Sequence, residues 1–501
     1  MSKFDWTSKW MQYQPEKIAF EEFESGRKLS WKTLNNLGNF VAQELSTNFK
    51  LKKGDRLAIL SENRLELITL FVAAQKTGII LVPLNYRLTS PEINYLLQQS
   101  VPAAIWYEQQ FEEKLLKTEK FRDIPIKQNL EKLAELSDRI VASNENYYFE
   151  NAAFEEDHPI FLIFTSGTTS FPKGSVYTHK MLFWNSVNTQ MRLDITSADR
   201  SINCAPSFHT GSWNVLLTPF MHHGAYTLVM RNFDAEKVMR ALEDYKMTIF
   251  WAVPTMLKMM AESSIFEQVK LEKLRYFIVG GEAMPIPLIE KWHAKDIMIR
   301  QGYGLTEVGP NVTSLNHQDA IRKQGSIGKP NFYYEVRIAD NNGNAVQAGE
   351  QGEFLLKGPC VTPGYWNNTK ATKDTIVDEW FHTGDIVKQD DEGYIYVVDR
   401  LKNMYISGGE NVYPAEVEYV LRQHNAIEEV AITGVPDEKW GESGMAFIVL
   451  KNNSEASPES LSTFCREKLA KYKIPKHFRF VKALPKNDAG KIDRKSLISN
   501  N

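Results

Sequence analysis

From Gly54 onward the chain alternates short apolar runs with helical stretches, and this grammar limits the fold more than any single motif does. RLAIL (56–60) leads to ENRLELITLFVAAQKTG (62–78), then IILVPLN (79–85), a helix start at Ser90-Pro91-Glu92, and VPAAIWY (101–107). Such alternation predicts βα units around a mostly parallel sheet. It returns at IFLIF (160–164), at a helix opened by Asp234, at IFWAVP (249–254), at RYFIVGG (275–281) and in a helix after Pro285. From about Gly325, short alternating strands with turn residues take over, as in EVRIADNNGNAV and GEFLLKG, and predict a β-rich subdomain. A third piece begins near Arg400, with a helix over 414–424, strands VAITGV and MAFIVL, a polar loop, a helix over 458–472 and a strand HFRFV. The fold class is therefore α/β: a large N-terminal region of α/β subdomains with a β-rich subdomain, followed by a small α+β domain.

Charge and cysteine usage exclude several classes. Lys and Arg number 59 against 62 Asp and Glu, a net charge of -3, so the chain has no global attraction for nucleic acid or anionic lipid. Any basic site is local. Residues 466–495 hold such an excess, eleven Lys or Arg against three Asp or Glu, and most of it is expected to be a solvated face. The start, MSKFDWTSKWMQYQPEK, lacks an apolar signal region, and no apolar stretch approaches the ~18 residues of a membrane span. The expectation is a cytoplasmic protein without an integral membrane segment. Trp6 and Trp10 share a helical face, which fits a packed N-terminal helix or, less commonly, peripheral membrane association. Cys204, Cys360 and Cys465 are odd in number and scattered, so they read as buried thiols rather than a disulfide framework or a metal site.

The strongest local chemistry is TSGTTSFPKG, Thr165 to Gly174, directly after IFLIF. Hydroxyls, two glycines and a lysine in ten residues suit a loop whose N–H groups and side chains wrap polyphosphate oxygens. A Walker A loop needs Gly-Lys-Ser/Thr, whereas Pro172 precedes Lys173 and Gly174 follows it. A polar turn is the plainer alternative. Gly441-Glu442-Ser443-Gly444 nearly spells a nucleophile elbow, but Met445 stands where its second spacing glycine belongs, so a serine hydrolase is excluded.

Further segments accompany the loop: APSFHTG (205–211), GGEAMP (280–285), QGYGLTE (301–307), WFHTGD (380–385), YIYVVDRLKNMYISGGENVYPAEVE (394–418) and ALPKNDAGKIDR (483–494). Together and in this order they resemble the adenylate-forming (AMP-binding) superfamily of acyl-CoA synthetases, aryl-CoA ligases, adenylation domains and luciferases, over roughly residues 15 to 495. The resemblance implies a domain at 1–399, a hinge at 400–402 centred on Lys402, and a mobile C-terminal domain at 403–501. It implies that Thr165, Ser166, Gly167, Thr168, Thr169 and Lys173 hold ATP phosphates, with Gly281, Glu282, Tyr303, Gly304 and Thr306 around the nucleotide.

Physical chemistry supports several of these roles. Tyr303 between two glycines offers a π face that adenine can approach. A core tyrosine is the plainer alternative. Glu307 beside a phosphate loop is a natural Mg²⁺ ligand, because Mg²⁺ favours one or two carboxylates plus phosphates and water. Asp385, with Arg400, resembles the pair that holds the ribose. His209 lies in the segment that lines the acyl pocket of relatives, with Phe208 and Trp213 as expected walls, whereas His222 and His223 match no motif and read as structural. Lys491 matches the lysine that bridges carboxylate and α-phosphate, since an anion must attack an anionic phosphorus. Gly408 and Gly409, in ISGGEN, would help form a tunnel for the pantetheine of CoA.

Two departures from the family pattern stand out: Ser170 replaces a usual glycine of the phosphate loop, and Lys402 stands where many relatives have aspartate. The implied activity is that of an AMP-forming acid–thiol ligase using ATP, Mg²⁺ and coenzyme A. Fatty acid is the first expected substrate, given the apolar residues near His209, and an aromatic acid is its nearest rival. A catalytically silent nucleotide-binding relative is the alternative from another class. The co-occurrence of Lys173, Glu307, Asp385, Arg400 and Lys491 argues against it.

Overall fold

The computed structural model describes residues 4–143, 145–165, 171–281, 284–340, 342–400, 405–412, 414–485, 492 and 494–499. The chain divides into two compact units, one formed by Met1–Tyr86, Leu97–Phe164 and Gly174–Asp399, the other by Arg87–Leu96, Thr165–Lys173 and Arg400–Asn501.

The apolar runs of the first unit become the strands of parallel sheets. Ile126–Asn129, Ala104–Tyr107, Arg56–Leu60, Ile80–Pro83, Pro159–Thr165 and Lys173–Thr178 lie side by side in that order, and the pairings among the first five are parallel. Arg200–Asn203, Tyr226–Val229 and Ile18–Glu22 form a second parallel set, which Lys28–Ser30 closes as an antiparallel edge. Ile249–Ala252, Tyr276–Val279 and Met298–Leu305 run parallel in a third sheet before the direction reverses at Gly309–Ser314. The β-rich part is the antiparallel sheet of Glu335–Ala339, Gln351–Lys357, Trp380–Gln389 and Ile376–Val377.

Local signals set the helices between them. Asp234 caps Ala235–Asp244 by accepting the Lys237 N–H at 2.9 Å. Leu65–Thr77 is buried along its whole length and stops at Gly78, whose φ of 73° is the left-handed terminator that glycine adopts without penalty. Phe71 of that helix meets Phe161 and Trp213 at ring separations of 5.5 and 5.4 Å, which ties helix, sheet and the 212–217 turn into one core.

The N-terminal aromatics take the packing role. Helix Trp6–Tyr13 stacks Trp6 on His222 at 4.3 Å, and Trp10 donates its indole N–H to the His222 carbonyl at 3.0 Å. Burial and the neighbouring His223 push His222 down to about 3, so it sits in this packing as neutral imidazole. All three cysteines are buried, and burial raises the Cys360 and Cys465 thiols to about 12. Among the described residues no helix is long and apolar enough to cross a membrane.

In the second unit Gly441–Leu450 pairs antiparallel with Ile427–Asp437 as one long hairpin, and His477–Phe480 adds a parallel edge. Two helices are shorter than their sequence suggests. Pro414–Leu421 ends three residues before His424, and Pro458–Arg466 stops well before Tyr472. Ala470 is extended, with ψ of 147°, and a separate 3₁₀ turn follows at Lys471–Lys473. That turn carries Lys473 into the interior, where its ammonium lies 2.7 Å from Glu416 and 2.9 Å from Glu92. Pairing a buried cation outweighs continuing a helix of good local propensity.

Candidate functional site

The phosphate-loop motif joins two neighbouring strands, Pro159–Thr165 and Lys173–Thr178. This strand–loop–strand path differs from the strand–loop–helix of a Walker A site. Thr165 and Lys173 mark its ends. Ser166, Gly167, Thr168, Thr169 and Ser170 lie outside the described residues, as do Glu282, Lys402 and Lys491, and Arg400 is described through its backbone.

In the first unit the motif segments follow the carboxyl ends of parallel strands, the edge where open α/β sheets bind ligands. APSFHTG follows Arg200–Asn203, GGEAMP follows Tyr276–Val279, and QGYGLTE is the continuation of the strand Met298–Leu305. Gly281 has a φ of 88° at the end of its strand. Gly304 is required by close approach: a Cβ there would lie 2.2 Å from the Pro310 carbonyl carbon. The chain then turns through Thr306–Val308 and leaves by Gly309, whose φ is 79°.

Tyr303 and Asp385 come together. The Tyr303 hydroxyl donates to Asp385 Oδ2 at 2.5 Å, although the two residues lie 82 positions apart. Both are buried, with Asp385 at 2 % exposure, so the carboxylate is fixed in a desolvated setting where each hydrogen bond counts heavily. The tyrosine ring packs against Phe354 at 5.5 Å. Gly384, with φ of 71°, lies within the strand Trp380–Gln389 where its pairing with Gln351–Lys357 shifts register, just before Asp385. Its N–H donates to Glu353 Oε1 at 3.0 Å, and Asp385 N–H donates to the Thr383 hydroxyl at 3.1 Å.

Glu307 accepts a hydrogen bond from the Tyr365 hydroxyl at 3.1 Å, and its carbonyl accepts from Thr362 N–H at 2.7 Å. A single carboxylate oriented in this way has the hard-oxygen chemistry that suits Mg²⁺ alongside phosphate oxygens. Among the described residues no cluster of three or more His, Cys, Asp or Glu forms a metal cage. Glu353 and Tyr365 are supporting residues that sequence reasoning missed. Their partners are 31 and 58 positions away, and no local motif signals such pairs.

His209 is half-buried, with its ring 4.6 Å from Phe208. Phe208 is itself buried and meets the Tyr86 ring edge-on at 5.3 Å. Trp213 has a different setting from the expected pocket wall. It is 2 % exposed, lies 5.0 Å from Phe161 and donates its indole N–H to the Ser207 carbonyl at 2.6 Å. It therefore braces the His209 segment from the core. In the second unit Gly408 and Gly409, with φ of 60° and 80°, turn the hairpin between Tyr405–Ser407 and Glu410–Val412.

Family models and known relatives match the chain over most of its length. The family model described as AMP-binding enzyme matches residues 7–366, and the one described as AMP-binding enzyme C-terminal domain matches residues 416–491. The chain is 36 % identical over 485 residues to long-chain-fatty-acid–CoA ligase FadD13 of Mycobacterium tuberculosis, covering 95 % of this chain and 94 % of that one. It is 35 % identical over 444 residues to feruloyl-CoA synthase of an Amycolatopsis species, covering 88 % of each. Among solved structures, o-succinylbenzoate CoA synthetase of Bacillus subtilis, a double mutant bound to a product analogue, superposes with a TM-score of 0.89 at 31 % identity, covering 99 % of this chain and 98 % of that one.

Proposed function

Because the chain belongs to the AMP-binding enzyme family, we propose that it is an AMP-forming acid–thiol ligase that activates a carboxylic acid with ATP and passes the acyl group to coenzyme A. A carboxylate oxygen attacks the α-phosphorus, the α–β phosphoanhydride bond breaks, and acyl-adenylate and pyrophosphate result. The CoA thiolate then attacks the acyl carbon and AMP departs. The observation that supports this best is the Tyr303–Asp385 hydrogen bond, which unites two distant motif segments into one buried polar site suited to a nucleoside. Asp385 accepts from the ribose hydroxyls, with Arg400 at the same sugar, and Tyr303 orients that carboxylate while its ring borders the adenine. Thr165, Lys173 and the loop between them hold the phosphates, and Lys491 neutralises charge at the α-phosphate. Glu307, held by Tyr365, would bind Mg²⁺, which offsets phosphate charge. Relatives named for fatty and for aromatic acids support an acid with an apolar body, and His209 orients its carboxylate. The setting is cytoplasmic.

Acid-dependent ATP–pyrophosphate exchange tests this reading. Exchange is expected with at least one acid of a panel, lost on chelation with EDTA and restored by Mg²⁺. A chain that binds ATP yet exchanges with no acid would be a silent relative instead. Asp385→Ala should raise the ATP requirement and leave the acid requirement near wild type. The loss of charge-assisted hydrogen bonds to ribose corresponds to about 1–3 kcal/mol. An unchanged apparent ATP affinity would remove Asp385 from the ribose site.

A further inference from the structure

Asp385 stands in a β-bulge. In the antiparallel pairing of Gln351–Lys357 with Trp380–Gln389, Glu353 faces Ile386 and Leu355 faces His382, so Phe354 alone spans Thr383, Gly384 and Asp385. Bulges of this kind re-aim a side chain at the expense of the ladder, and the backbone groups they free need other partners. Side chains supply them here. The Thr383 hydroxyl donates to the Phe354 carbonyl at 2.7 Å and accepts the Asp385 N–H at 3.1 Å. Gly384 N–H donates to Glu353 Oε1 at 3.0 Å, and His382 Nδ1 lies 3.0 Å from Glu353 Oε2. Because a carboxylate only accepts, the imidazole donates through Nδ1. Glu353 thus grips the bulge on both sides of Thr383, and among the described residues neither its side chain nor that of His382 makes another hydrogen bond. The next residue, Phe354, backs the Tyr303 ring, whose hydroxyl donates to Asp385.

We propose that Glu353 is a positioning residue for the nucleotide: through His382 and Gly384 it fixes the bulge that aims Asp385, and so sets how strictly the protein requires the ribose hydroxyls. The inference rests on the ribose reading above and deepens it from one aspartate to the frame that holds it. Hydrogen bonds weaken steeply with misalignment, and three residues set against one have no regular ladder to keep their direction. Without the Glu353 carboxylate, Gly384 N–H loses its acceptor and the Asp385 backbone can settle elsewhere. The phosphate loop and the acid-binding segment lie on other strands, so a loosened bulge is felt at the sugar.

The test is calorimetric titration of MgATP, 2′-deoxyATP and 3′-deoxyATP into wild type, Asp385→Ala, Glu353→Ala, His382→Ala and Glu353→Gln. Wild type should bind ATP more tightly than either deoxynucleotide. Glu353→Ala should weaken ATP by about tenfold and the deoxynucleotides by less, which moves the preference toward that of Asp385→Ala. His382→Ala removes one of the two contacts and should fall between. Glu353→Gln offers an amide oxygen to Gly384 N–H and an amide N–H to the other imidazole tautomer, so it should keep most of the preference. Adding Glu353→Ala to Asp385→Ala should change little further. A role confined to stability would lower the fraction of protein that binds and leave the preference where it was. Glu353→Ala with the wild-type preference, beside Asp385→Ala without it, overturns the inference and leaves the ribose reading standing. Should Glu353→Ala fail to fold, an unaltered preference in His382→Ala overturns it equally. A preference unmoved even in Asp385→Ala removes the ribose reading and this inference with it.

Discussion

Lys491→Ala loses most acid-dependent pyrophosphate exchange, by about 10²–10³-fold, while a supplied acyl-adenylate still reaches CoA at close to the wild-type rate. The separation follows from the chemistry of the two halves. In the first, two anions meet at the α-phosphorus, and a lysine that stabilises the accumulating charge contributes only in that transition state. In the second, a thiolate attacks an acyl carbon already activated by AMP, and charge develops on the carbonyl oxygen and on the oxygen of the departing AMP rather than at an attacked phosphorus. The resemblance assigns Lys491 to the first half alone. The measurement is acyl-CoA formed from synthetic acyl-adenylate, compared with exchange on the same preparation. Equal loss in both halves would mean that Lys491 acts through domain structure or general charge, and full exchange in the variant would take it out of the reaction.

The parts of the fold that read directly from the sequence are those that local periodicity writes. Leu65–Thr77 and the strands Arg56–Leu60 and Ile80–Pro83 on either side of it are apolar runs of the right length, and punctuation such as Gly78 and Asp234 stands where it is needed. The phosphate loop and GGEAMP are legible for the same reason, because they follow the apolar runs IFLIF and RYFIV, whereas APSFHTG follows Arg200–Asn203, which local apolarity does not mark. Partner identity is not written locally. Nothing near Tyr303 points to Asp385, and nothing near Gly384 points to Glu353. The same limit explains the helix after Pro458. Residues 467–473 have good helical propensity, and the distant Glu92 and Glu416 give Lys473 a reason to leave the helix. Trp213 adds a packing role that its position beside His209 does not signal, since its ring meets Phe71 and Phe161.

Lys76→Met should destabilise the first unit by about 3–5 kcal/mol, the cost of leaving a buried carboxylate without its cation. Lys76 is 1 % exposed, and its ammonium lies 2.7 Å from Asp5 Oδ2 and 3.0 Å from Asn35 Oδ1. Asn151 donates to the same Asp5 oxygen at 2.9 Å, and Ser8 N–H donates to Asp5 Oδ1 at 3.1 Å, which caps the helix Trp6–Tyr13. Burial disfavours the Asp5 charge, but the Lys76 ammonium and the hydrogen bonds from Lys76, Ser8 and Asn151 outweigh it and hold the carboxyl below its usual range. A carboxyl lowered in the folded state stabilises above its unfolded pKa of about 3.9 and loses that contribution as pH falls through the folded value. Without the cation, burial raises the Asp5 pKa instead, so the variant gains stability relative to wild type as Asp5 takes up a proton. Urea unfolding should therefore show a gap between wild type and Lys76→Met that is widest near pH 7 and narrows toward pH 4. Adding Asp5→Asn, which removes the orphaned charge, should recover part of the loss at pH 7 and flatten the pH dependence. A gap of the same size at both pH values would assign the loss to packing of the lysine stem rather than to the ion pair.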